Sequence, residues 1–297
     1  MQHRDRPAST TRREWLKGTA GTVFAGTALG AVAAADATTT GPLDPSRAAD
    51  RLRIYRKLRY RTDDGLIWWW LQGPKFGQVG TTLTPLFTLV VGTLMRIRHR
   101  ADGGFDLTTL EMVFLADVDS GARLAAWRNP YTGETLPVKF DPLGPSTVSY
   151  RPDNSRVLPT EIGGARLEAS ARSSGPLVVG DDVFVRDEST ARVFSPGRTA
   201  PFEVNDISTY HGNLRELLDP KVTMARASVA FAEVTGWQRW MNMGERPGNL
   251  TSRSAGAKVA DYGSMPENWR AMLAEVAPRI AADPVAALEG PAARFTR

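Results

Sequence analysis

The chain has 297 residues, 42% hydrophobic and 23% charged, a globular composition that excludes wholesale disorder and a fibrous fold. It contains no cysteine and only three histidines, His3, His99 and His211, which excludes disulfides, thiolate-held metals or clusters and a cysteine nucleophile. Five basic and two acidic side chains lie within residues 1–35, so the net charge of +5 falls nearly to balance beyond them, and no nucleic-acid partner is expected.

Residues 1–35 read as an export signal. Thr11-Arg12-Arg13-Glu14-Trp15-Leu16-Lys17 has the twin-arginine pattern, and a weakly apolar run follows from Gly18 to Ala34. Ala33-Ala34-Ala35 fits a small-residue cleavage site, which starts the mature chain at Asp36. The run is too short and too weakly apolar for a stable membrane span. Contact with a membrane is therefore expected only during export, and the mature protein is expected in the periplasm or outside the cell. Residues 36–297 are expected to form a single β-rich domain.

After a polar leader, Asp44-Pro45 predicts a helix start, since aspartate caps free amides and proline fits a first turn. The helix is expected to run to about Arg59. Leu66 to Leu71 reads as a strand whose Trp68, Trp69 and Trp70 place aromatic area on both faces. Leu86 to Arg100 alternates, with Phe87, Leu89, Val91, Thr93, Met95, Ile97 and His99 on one side and Arg96, Arg98 and Arg100 on the other. About fifteen residues is long for a flat sheet and suits a curled or barrel sheet. A turn at Ala101–Gly104 leads into a partner strand from Phe105 to Asp119. Shorter strands are predicted at Leu124–Trp127 and Leu136–Phe140, then a proline-rich loop from Asp141 to Thr160. Further strands are expected at Arg166–Arg172, Leu177–Arg186, Arg192–Phe194 and Val222–Val234. Helices are expected at Leu214–Leu218 and Glu267–Ile280, with a loosely packed tail from Asp283. The sum is a mainly β fold, an antiparallel barrel or curled sheet of calycin or lipocalin type with a few peripheral α-helices.

Four local patterns carry a resemblance. They are Asp44-Pro45, Trp127-Arg128-Asn129-Pro130-Tyr131-Thr132-Gly133-Glu134, Tyr210-His211-Gly212, and Trp237-Gln238-Arg239-Trp240-Met241-Asn242-Met243-Gly244. Together they resemble the bacterial family known as domain of unknown function 1838, whose members often carry export signals. The resemblance implies a fold and boundaries but no activity. The Gly- and Thr-rich stretch from Phe76 to Pro85 matches no motif of that family.

No familiar catalytic signature is present: no Gly-x-Ser-x-Gly elbow, no Walker loop and no His-Glu-x-x-His. His211, expected in a loop between Tyr210 and Gly212, is the leading candidate for proton transfer, because an ordinary imidazole titrates near neutrality. Holding its loop by hydrogen bonds is the alternative role. Glu111 lies on a strand apolar on both faces. If buried, it is either an acid of raised pKa or half of an ion pair with Arg96 or Arg128. Trp68, Trp70, Trp237, Trp240 and Met243 supply polarisable surface for a pocket, with Arg128 and Tyr131 at its mouth, or else pack the core. The expectation is an exported, cofactor-independent enzyme, a lyase, isomerase or hydrolase. It takes an apolar or aromatic small molecule and uses His211 with Tyr210 and Glu111. A non-catalytic, lipocalin-like carrier is the alternative.

Overall fold

A computed structural model describes residues 43–156, 160–162, 165–196 and 200–290. Residues 1–35, expected from the sequence to be an export signal, residues 36–42, expected as a polar leader, and residues 291–297 lie outside the described residues. Helix α1 (Ala48–Arg59) is followed by β1 (Gly65–Val79), β2 (Thr82–His99) and β3 (Phe105–Ala116). Short β4 (Ala126–Arg128) and β5 (Thr135–Pro137) pair with each other. Then come β6 (Leu143–Tyr150), the two-residue β7 (Glu161–Ile162), β8 (Ala165–Val179), β9 (Asp182–Phe194) and β10 (Phe202–Asn213). Helix α2 (Leu214–Leu218), β11 (Ser228–Thr235) and β12 (Asn249–Val259) precede the terminal helices α3 (Glu267–Val276), α4 (Pro278–Ala282) and α5 (Pro284–Glu289).

The large sheet has the order β6-β3-β2-β1-β12-β11-β10-β9-β8-β7. Its first and last strands pair at the centre, and two antiparallel meanders run outward from them. The sheet curls into a half-barrel and stays open, with β6 and β7 as its edges. The mainly β, curled antiparallel sheet with peripheral helices is the architecture expected from the sequence. Gly80 and Gly180, each at a left-handed φ near +60°, turn the β1–β2 and β8–β9 hairpins. The Gly- and Thr-rich stretch around Phe76–Pro85 is the tip of the first of these hairpins.

Helix α1 fills one end of the concave side. Its Ile54, Tyr55 and Leu58 join one buried cluster with Phe105 of β3, Tyr150 of β6 and Val183 of β9. Only the hollow of a curled sheet brings strands so far apart in the order to one helix. The last carbonyls of a helix lack intrahelical donors. Here the buried Lys258 ammonium donates to the carbonyls of Lys57, Leu58 and Tyr60 at 2.7, 2.7 and 3.0 Å, fastening α1 to β12. Helices α3, α4 and α5 cover the convex side of β1–β3 around Trp68, Leu94 and Phe114. Trp269 lies directly on Gly92, where a Cβ would fall 2.2 Å from the indole, and its Nε1 donates to the Met112 carbonyl at 3.2 Å.

Several expectations are corrected. Residues expected as a proline-rich loop contain β6. The segment around His211 is the end of β10, and β12 was not anticipated at all. Strands β10 and β12 have polar residues pointing inward: Asp206 and Ser208 in β10, Ser252, Ser254 and Lys258 in β12. The hydrophobic period of two is masked there. The helix expected from Glu267 to Ile280 breaks at Ala277-Pro278, because proline cannot continue the hydrogen-bond ladder. The tail is not loose from Asp283 onward, since α5 buries Ala287 and Leu288.

Candidate active site

Strand alternation sends every second side chain into the hollow. One register row crosses the sheet there as Ser189, Asp206, Glu233, Ser252 and Lys75, from β9, β10, β11, β12 and β1. The neighbouring row, nearer α1, carries Ser173, Asp187 and Ser208. The concave face is therefore apolar at both ends and polar across its middle.

Two ion pairs anchor this band. Arg59, from the last turn of α1, pairs with Asp187 and donates to the Tyr55 hydroxyl at 2.8 Å. Tyr55 in turn donates to Asp187 at 3.0 Å. Lys75 pairs with Glu233, whose carboxylate also accepts from Ser252 Oγ at 3.1 Å. Asp206 accepts from Ser189 Oγ at 2.7 Å. Glu111, on β3, is only 5% exposed, and among the described residues it has no hydrogen-bond or ion-pair partner.

A buried carboxylate without compensation shifts its proton equilibrium rather than stay charged. Burial, reinforced by the nearby charge of Glu233, pushes Glu111 up to about 8. Burial also raises Asp206 to about 7, against the opposing pull of the Ser189 hydroxyl and with a further push from Glu233. Arg59 and Lys75 thus pair with Asp187 and Glu233, while burial biases Glu111 and Asp206 toward their protonated forms.

Beside Glu111 lies a cavity of about 80 Å³. Its polar lining is Glu111, Lys75, Glu233, Thr235 and Gln238. The Thr235 hydroxyl is buried without a hydrogen-bond partner. The remaining walls are apolar, among them Leu71, Val91, Val113 and Phe231. A larger depression of about 510 Å³ on the convex side is lined by Ile207, Phe231, small residues and a few polar ones. Its lone ionisable group is Arg253, so the reactive chemistry gathers in the smaller space.

Two loops close the end of the hollow opposite α1. Asn129, fully buried, donates from Nδ2 to the Met241 carbonyl at 2.7 Å and to Met243 Sδ at 3.3 Å. Asn242, at a left-handed φ of 53°, donates to Glu134 at 2.6 Å. The two most distinctive sequence motifs are thus two halves of one cover. Gln238 from this cover reaches the cavity, and the Trp240 Nε1 donates to its Oε1 at 2.6 Å.

The residues singled out from the sequence separate into five places. Glu111 lines the cavity. Tyr210 is fully buried on the concave side, edge-on to Trp69 and beneath the Arg59 guanidinium. His211, its neighbour on the strand, points the opposite way. Its Nε2 is 2.7 Å from Asp182, and its ring stacks on Phe184, outside the hollow. Trp68 and Trp70 pack against the convex-side helix cluster, where Arg96 pairs with Glu289. Tyr131, Trp237, Trp240 and Met243 sit together in the cover, with Arg128 exposed beside them. The tryptophans therefore do not line one pocket, because Trp68 and Trp70 share the strand parity that faces outward. Neither Arg96 nor Arg128 reaches Glu111. The sequence reading missed Lys75, Glu233, Asp206 and Asp187. Its one available signal was the inward set Val204, Asp206, Ser208 and Tyr210 at a spacing of two.

Among the described residues no cluster of three or more metal-ligating side chains occurs. A family model described as a protein of unknown function, DUF1838, matches residues 64–294, which takes in every strand of the sheet and the terminal helices. No curated protein matches the chain.

Proposed function

The chain belongs to the DUF1838 family of proteins of unknown function, and within that family we propose that it is a small-molecule enzyme working by acid–base chemistry at Glu111. The observation that carries this reading is a carboxyl group without a partner at the wall of a cavity that also holds the Lys75–Glu233 pair. Pushed up to about 8 by burial, Glu111 favours its protonated form at neutral pH, and can give the proton up and take it back. A carrier of apolar ligands has no use for such a group, whose burial weakens the fold. The apolar walls fit a carrier equally well, so that reading stays as the alternative. A cavity that accommodates benzene has about 150 Å³. At about 80 Å³ this one favours, of the apolar or aromatic substrates expected from the sequence, a small apolar one.

Export by the twin-arginine route remains part of the proposal, on the strength of Arg12-Arg13 and the Ala33-Ala34-Ala35 site.

The test uses a panel of small aldehydes, ketones, esters and alcohols in D₂O, followed by proton NMR with wild type and Glu111→Gln. Conversion or solvent-deuterium exchange by wild type, lost in a folded Glu111→Gln protein, supports the enzyme. Compounds that bind but leave unchanged with both proteins favour the carrier.

A further inference from the structure

The chain uses six lysines against 31 arginines. Lys57, Lys75 and Lys258 are buried. Two of these serve the backbone: Lys258 donates to three carbonyls at the end of α1, and Lys57 donates to the Leu217 and Asp219 carbonyls at 3.0 and 2.6 Å. Lys75 differs. It touches no carbonyl, pairs with Glu233 and lines the cavity. Arginine is the usual choice for a buried ion pair, and the Arg59–Asp187 pair of the same band uses it. An amine offers what a guanidinium lacks: once deprotonated it is a nucleophile.

We infer that Lys75 is a covalent catalyst, whose amine condenses with a small aliphatic aldehyde or ketone in the cavity to form an imine. The inference rests on the acid–base reading of Glu111 given above. The cavity defines the substrate class. At about 30 Å³ per water, 80 Å³ holds roughly three waters, or a molecule of about three to four non-hydrogen atoms. Its walls are apolar, from Leu71, Val91, Val113 and two phenylalanines, and its polar side presents a carboxylic acid and the unpartnered Thr235 hydroxyl to an accepting oxygen. The positive charge of Lys75 is already balanced by Glu233, so a neutral carbonyl compound fits and a carboxylate does not.

The protons balance within the site. Of the three on the Lys75 ammonium, one passes to Glu233 and frees the lone pair that attacks the carbonyl carbon. The C–N bond forms as the carbonyl π electrons move to oxygen. That oxygen leaves as water, carrying one proton from Glu111 and a second from the nitrogen. The third proton stays on the iminium. Glu111, now a carboxylate on the wall of the same cavity, takes a proton from the carbon next to the iminium, giving an enamine. Reprotonation and hydrolysis by the reverse steps restore the free amine. Such a cycle serves a lyase or an isomerase, since the iminium accepts the electron pair released at that carbon.

The experiment is reductive trapping of the full chain with acetone and sodium cyanoborohydride, read by peptide mass mapping. Ketones alkylate ordinary lysines slowly, and the exposed Lys139 and Lys221 serve as internal controls. The expected result is near-complete alkylation at Lys75 with little at either control. Glu111→Gln is expected to slow the Lys75 adduct about a hundredfold, the usual contribution of a positioned acid. Lys75→Arg keeps the charge opposite Glu233, and its folding is checked by melting temperature. It is expected to abolish turnover of the NMR panel along with the adduct. Alkylation confined to Lys139 and Lys221, or a folded Lys75→Arg protein with full turnover, overturns the inference. If Glu111-dependent turnover persists in either case, the acid–base reading stands without covalent catalysis. If wild type shows no turnover, that reading falls too.

Discussion

Asn129 and Met241 lie 112 residues apart in sequence and are joined by a side-chain amide that donates to a buried carbonyl at 2.7 Å. The same Asn129 accepts from the Tyr131 amide at 2.9 Å, so one residue both shapes its own turn and holds the facing loop. Replacing it removes partners from groups that have no water to turn to. A buried polar group left unsatisfied costs about 1–3 kcal/mol. Asn129→Ala is therefore expected to lower stability by about that amount. Hydrogen exchange is expected to rise at residues 237–244 first, ahead of the strands beneath. Unchanged exchange in that loop would remove the cover from this account.

Glu111 makes stability depend on pH in a stated direction. An unfolded glutamate titrates near 4.5, and in the folded chain burial raises the group to about 8. Between those values the folded state holds a proton that the unfolded state has lost. Stability from this group is therefore full below about pH 4.5 and declines as pH rises toward 8, by up to about 1.4 kcal/mol per pH unit. Asp206 adds to the same trend up to about pH 7. Glu111→Gln keeps the shape and cannot ionise. Its melting temperature is expected to fall less than that of wild type from pH 5 to pH 8, and to exceed it above pH 8. Parallel melting curves for the two proteins across that range would contradict the buried, unpartnered carboxyl.

His211 has an outward side chain that is 40% exposed and bonded to Asp182. An exposed pair of this kind contributes about 0–1 kcal/mol. His211→Ala is expected to cost no more than that and to leave Glu111-dependent turnover unchanged. Loss of turnover without loss of folding would return the proton-transfer role to the histidine.

Export is testable apart from the fold. Replacing Arg12 and Arg13 together by lysine is expected to leave precursor in the cytoplasm, while wild type yields a shorter product beginning near Asp36. Immunoblots of cell fractions, with sequencing of the product's first residues, decide it. Equal export of both forms would exclude the twin-arginine route.

Apolar alternation was enough to read β2 and β3 from the sequence, because Phe87 through Ile97 repeat at a spacing of two and the hollow beneath them is largely apolar. The same rule pointed to Glu111 as a carboxyl on a strand with two apolar faces, and the mainly β, curled architecture followed from strand length and turns. It failed at β10 and β12, where Asp206, Ser208, Ser252 and Lys258 take the inward positions that pattern reading reserves for apolar groups. Those strands line the polar band, so the composition that makes a candidate site also hides it from a one-dimensional reading. The partner of Lys75 was equally out of reach, since Glu233 lies 158 residues away and meets it across β12. Sequence settles which faces alternate. Only the curl of the sheet, which turns Lys75, Glu111 and Glu233 toward one shared cavity, decides which charges lose their water and must share their protons.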